Sequence, residues 1–182
     1  GGQYLDGPLG RTPQHAVDGL LNIMASGDKA AFDKIEPVLK DLGENVFHLG
    51  ALGSGHTIKL LNNFFAMTTA NAMSEVFAIA DLAGVERQSV YDVMSAGPGH
   101  SVMMDLVKGY AIDGDETKLA FAVKNAAKDI GYYTRMVADA GTESAIAASP
   151  LDAMKDAMEK GHGDKMVSEM VEYYSDRFSS KS

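Results

Sequence analysis

Residues 57–83, TIKLLNNFFAMTTANAMSEVFAIADLA, run for 27 positions without a glycine or a proline. Nothing in that run breaks a helix, and Ile58, Leu61, Phe65, Ala72, Val76, Ile79 and Ala83 recur at spacings that mark one apolar stripe along it. One helix of this length spans about 40 Å, which is long for a globular domain. Gly84 ends it, because glycine accepts the left-handed conformation of a helix C-terminus. Downstream, residues 88–96 read as a helix, Gly97-Pro98-Gly99 break it, and Ser101 is placed to cap a further helix carrying Val102, Met103, Leu106 and Val107. Residues 120–140, 150–160 and 164–178 supply three more. Met is frequent at helical spacing, which reads as gap-filling core. From 51 to 182 the expectation is an all-α domain built around one long helix.

Upstream the pattern is different. Residues 3–6 form a short strand-like run stopped by Gly7-Pro8, and Gly10 to Pro13 read as irregular loop. Leu20 to Met24 read as a second strand, and Asp28 offers an N-cap oxygen to a helix running to about Leu42 and stopping at Gly43, with Phe32, Ile35 (or Glu36) and Leu39 at helical spacing. Val46 to Leu49 follow as a third strand. Strand, strand, helix, strand is an α/β pattern, so the chain is expected to be mainly α, with an α/β part over 1–50 and the all-α domain over 51–182.

The chain has 182 residues, 46% of them hydrophobic, and no apolar run long enough to cross a bilayer. Sixteen Lys and Arg against 25 Asp and Glu give a net charge of −9, a poor match to nucleic acid. With no cysteine there is no disulfide framework, thiolate zinc site or thiol nucleophile. The five histidines are dispersed, so no metal site is expected. The first residues show neither an initiator Met nor a signal peptide, and the expectation is a cytoplasmic chain that is a fragment of a longer one.

Chemistry concentrates in Gly50-Ala-Leu-Gly53-Ser-Gly55-His-Thr-Ile-Lys59-Leu-Leu-Asn62-Asn63. Lys59 and Asn63 stand one helical turn apart on one face, so an ammonium and an amide can converge on a small polar ligand. Glycines before a helix let a ligand approach the backbone and the unpaired amides of the first turn. A lysine near an apolar wall can move a proton on or off an alcohol oxygen. A dinucleotide fingerprint is excluded, because the third glycine of G-x-G-x-x-G falls on Ile58 and an unbroken helical region follows.

The spacing G-x-x-G-x-G-x-x-x-K-x-x-x-N from Gly50 to Asn63 resembles the signature of the β-hydroxyacid dehydrogenase family. Asp6-x-Pro8 with Gly10-Arg11-Thr12 sits where that family carries its substrate-binding D-x-P-V-S-G-G, and Phe121 with Lys128-Asp129 resembles its F-x-x-x-x-x-x-K-D segment. Gly161-x-Gly163-Asp164 is similar to its late G-x-G-x-x-D turn. The resemblance implies that residues 1–50 are the C-terminal part of a Rossmann-type dinucleotide-binding domain, and that the fragment alone lacks the pyrophosphate grip and is inactive. It further implies NAD or NADP as cofactor, no metal, Lys59 as general acid and base, and a small semialdehyde or hydroxy acid as substrate. Asn63, Gly10, Arg11, Thr12 and Gly55 would bind substrate, and Lys128 and Phe121 would serve the cofactor. Where the family has S-G-G this chain has G-R-T, a pattern similar to sulfolactaldehyde reductases, and Arg suits a carboxylate or sulfonate. 3-Hydroxyisobutyrate and tartronate semialdehyde remain the competing substrates. The long helix is expected to pack against a second copy in a homodimer or higher oligomer. The reading from another class is a non-enzymatic helical dimerisation domain.

Overall fold

A computed structural model describes residues 2–180. They form two compact units, one up to Asn62 and one from Asn63 onward.

In the first unit the central strand is β3 (Asn22–Gly27). On one edge it pairs antiparallel with two short pieces, β1 (Leu5–Asp6) and β2 (Leu9–Gly10). Pro8 between them has no amide to donate, but its carbonyl accepts from the Met24 amide at 3.0 Å, so the broken edge stays paired. On the other edge β4 (Asn45–His48) runs parallel to β3. The parallel connection is made by α2 (Lys29–Leu42), whose first turn is capped by the Asp28 carboxylate accepting from the Ala31 amide at 2.8 Å. Leu21, Ile23, Met24, Ala25, Ala31 and Phe32 are buried.

Several sequence expectations are corrected. Gly10 belongs to a strand, and Pro13 opens a short helix, α1 (Pro13–Val17), where a loop was expected; proline at the first helical position has no amide to lose. The second strand lies a few residues later than 20–24 because the pairing of Ser26 and Gly27 with β1 extends it. On α2 only Phe32 of the expected stripe is buried, while Ile35 is exposed.

The second unit is organised on α3 (Ser54–Leu82), whose first turns belong to the first unit. After it come α4 (Arg87–Ser95), α5 (Val102–Ala111), α6 (Val123–Asp139), α7 (Ala148–Ala157) and α8 (Met170–Ser179). Ser101 caps α5 by accepting from the Met104 amide. Gly84 has the left-handed φ of 69° expected where α3 stops. The core is rich in Met and Ala: Met67, Ala70, Met73, Phe77 and Ala78 from α3 meet Met104, Val107, Ile130, Met154, Met170 and Val171.

That core reverses one expectation. The stripe read from the sequence is largely the uncovered one, with Ile58, Leu61, Phe65 and Ile79 exposed. The buried face of α3 is the neighbouring one, and it includes Asn71 and Ser74; Asn71 donates to the Tyr174 hydroxyl at 2.7 Å. Two further boundaries move. A wide helical turn (Met158–His162) follows α7, with Gly161 at φ 87°, and the stretch expected as one helix from 164 begins as a turn and a 3₁₀ turn (Val167–Glu169) before α8. An isolated bridge between Ala122 and Met166 also interrupts the all-helical character.

Candidate active site

The N-terminus of α3 is tied to the sheet by a buried polar node. Asp6, at the end of β1, accepts from the Gly53 amide at 2.8 Å, the His56 amide at 3.1 Å and the Ser26 hydroxyl, and it bonds His56 Nδ1 at 2.9 Å. Ser26, fully buried on β3, also accepts from the Gly55 amide at 2.9 Å. Burial by itself would raise the pKa of Asp6, but these donors outweigh it and hold the carboxyl well below the usual carboxylate range. A Cβ on Gly55 would stand 2.1 Å from the Met24 carbonyl oxygen, so only glycine permits this approach of helix to sheet.

This node corrects the expectation that the first-turn amides of α3 are open to a ligand. The amides of Gly53, Gly55 and His56 are spent on Asp6 and Ser26, so this glycine-rich turn does not fit a pyrophosphate. What it delivers is a fixed helix start, with Lys59 half-buried one turn further on. Gly55 therefore serves packing here, and its expected contact with substrate is a proposal.

Gly10 and Arg11 line a cavity of about 290 Å³ together with Asn22, Met24, Ile58 and Asn62. The Arg11 guanidinium donates to the Leu20 carbonyl at 2.7 Å and pairs with the Glu44 carboxylate. Thr12 Oγ1 lies 2.7 Å from His15 Nδ1. The His56 ring is held by Asp6, and the His100 ring meets Asp105.

In the second unit Asn63 is buried, and its side-chain amide donates to Asp129 at 2.7 Å. The other oxygen of Asp129 lies 3.3 Å from the Lys128 ammonium, which also sits over the Tyr132 ring. Asp129 thus fixes the Asn63 amide while Lys128 remains half-exposed. Phe121 is half-buried against the core, and its carbonyl accepts from the Val167 amide. Asp164 pairs with Lys124 across the late glycine turn.

Among the described residues no group of three His, Asp or Glu side chains is gathered that could hold a metal ion, and no helix is long and apolar enough to cross a membrane. Asp6, Ser26, Glu44 and Asp129 are the participants that sequence reading did not select. Asp6 and Asp129 stand inside recognisable segments, whereas Ser26 and Glu44 act on partners 20 and 33 residues away, a separation that no local spacing reports.

Residues 53–174 match the family model described as NAD-binding of NADP-dependent 3-hydroxyisobutyrate dehydrogenase. The chain belongs to the β-hydroxyacid dehydrogenase family. Residues 1–50 match the NAD binding domain of 6-phosphogluconate dehydrogenase. Relatives in this family include glyoxylate/succinic semialdehyde reductase 1 of Arabidopsis thaliana, 32% identical over 94% of this chain and 59% of its own length. L-threonate dehydrogenase of Escherichia coli K12 is 29% identical over 95% of this chain and 57% of its own. Among solved structures, 3-hydroxyisobutyrate dehydrogenase from Salmonella typhimurium superposes with a TM-score of 0.83 at 28% identity, covering 94% of this chain and 60% of that one. The chain therefore spans about three fifths of the length of these three proteins.

Proposed function

We propose that the protein carrying this chain is an NAD(P)-dependent oxidoreductase that interconverts a small hydroxy acid or hydroxy sulfonate and its semialdehyde. The observation that carries the reading is the match of 53–174 to a 3-hydroxyisobutyrate dehydrogenase model, across the segment that holds Lys59 and Asn63. The names of the relatives, a semialdehyde reductase and a hydroxy acid dehydrogenase, support the same substrate class.

In this mechanism the Lys59 ammonium donates a proton to the carbonyl oxygen on reduction, and the neutral amine takes it back on oxidation. An ammonium beside that oxygen stabilises the negative charge that develops there, a term worth most where water is excluded. Asn63, its amide oriented by Asp129, holds the substrate hydroxyl or carbonyl. Arg11, with the Gly10 backbone and the Thr12 hydroxyl, takes the acidic end. A nicotinamide cofactor supplies or accepts the hydride when bound; Lys128, with its half-exposed ammonium, and Phe121 are the residues of this chain that would hold it. The exposed stripe of α3 is the surface proposed to meet a second copy.

A direct test follows NAD(P)H absorbance in the protein at its natural length with sulfolactaldehyde, tartronate semialdehyde and the semialdehyde of 3-hydroxyisobutyrate. A turnover preference for the sulfonated aldehyde is the expected result, with either carboxylate as the runner-up. No oxidation of cofactor with any short semialdehyde would sink the reading.

A further inference from the structure

Arg11 has a φ of 76°, the one positive value at a non-glycine position among the described residues. A side chain with a Cβ is disfavoured there, and such outliers collect where a side chain has a task. Arg11 is among the residues that line the cavity shared with Asn22, Ile58 and Asn62, and its guanidinium reaches two residues beside that lining, Leu20 and Glu44. That cation is already answered. One nitrogen, Nη1, reaches both the Leu20 carbonyl and a carboxylate oxygen of Glu44, the second residue after α2. The carbonyl is part of the backbone and cannot leave. The carboxylate ends a flexible side chain that is 51% exposed, and a pair of this kind is weakly held.

We propose that Glu44 is a specificity-determining residue: its carboxylate occupies Nη1 of Arg11 until the acidic end of the substrate displaces it. The proposal rests on the reading of Arg11 given above. Carboxylate and sulfonate each offer a guanidinium a negative charge and at least two acceptor oxygens, so either can take the place of Glu44 on Arg11. A neutral aldehyde cannot displace it and gains nothing from Arg11. Glu44 also returns to Arg11 as product leaves, so the guanidinium regains a partner of opposite charge.

The test is calorimetric binding of 3-hydroxypropane-1-sulfonate and 3-hydroxypropanoate, without cofactor, to the protein at its natural length. Glu44→Gln keeps size and hydrogen bonding but removes the competing charge, and the affinity for both probes is expected to rise about threefold. In turnover the same variant lowers KM for the anionic semialdehyde and leaves KM for a neutral short aldehyde where it was. Arg11→Ala loses the binding, and adding Glu44→Gln to it changes nothing further. If Glu44 only fastens the loop, Glu44→Gln weakens binding or leaves it unaltered while Arg11→Ala still abolishes it, and the proposal falls with the Arg11 reading intact. Unaltered probe binding in Arg11→Ala overturns both.

Discussion

The Asp6 carboxylate accepts from one hydroxyl and two backbone amides and meets the His56 ring, so removing it strands donors inside the protein. Leaving a buried donor unpaired costs about 1–3 kcal/mol, and Asp6→Ala is expected to destabilise the first unit by about 3 kcal/mol, read from urea unfolding. The pH dependence has a definite sign. A carboxyl held below its ordinary value stabilises the fold fully above about pH 4, where the unfolded chain's carboxyl is also ionised, and that contribution is lost as the pH falls further. The wild-type melting temperature should therefore drop more steeply from pH 5 to pH 3 than that of Asp6→Asn; parallel curves would remove Asp6 as the cause. At Asn63 the expectation is kinetic. Asp129→Ala frees the Asn63 amide to rotate, and kcat/KM should fall about tenfold or more with NAD(P)H binding kept, whereas an unchanged kcat/KM would show that Asn63 needs no such orientation. That Lys59 and Asn63 share one helix face could be read from spacing, because they stand one turn apart. Ser26 and Glu44 could not be picked out, since they become neighbours of Asp6, Gly55 and Arg11 only when the sheet closes.

The helix α3 shows which parts of the fold the sequence carries. Its length, its glycine stop and the caps at Asp28 and Ser101 are local signals, and all are present. Which of its faces is buried is not local. The apolar residues at Leu61, Phe65 and Ile79 stand out in a hydropathy pattern, yet the buried face mixes Met67, Met73 and Phe77 with Ala70 and Ala78 and with polar Asn71, which is accommodated by Tyr174. The strand pieces at the broken edge are two residues each, too short to give a period. Glycines provide the test at this scale. Gly55→Ala forces a methyl against the Met24 carbonyl, so α3 must lift from β3, and a fall of several degrees in melting temperature is expected. Gly131→Ala on α6 meets no atom within 4 Å and should stabilise by up to about 1 kcal/mol. Equal responses at the two glycines would contradict this account of how α3 is seated.

For the whole molecule, the uncovered stripe of α3 and the net charge of −9 pull in opposite directions. Charge keeps copies apart, while Leu61, Phe65 and Ile79 offer apolar surface that a second copy can bury. Sedimentation at micromolar concentration is expected to give a dimer that Phe65→Glu converts to monomer; a wild-type monomer would leave the stripe without that role. Whether Lys59 handles the proton of an oxidoreductase is decided by one variant at natural length. Lys59→Met keeps most of the length of the side chain and removes the proton. The expected result is a kcat lower by about a hundredfold or more while fluorescence titration shows NADH or NADPH still binding. Turnover within a few-fold of wild type in Lys59→Met would contradict it.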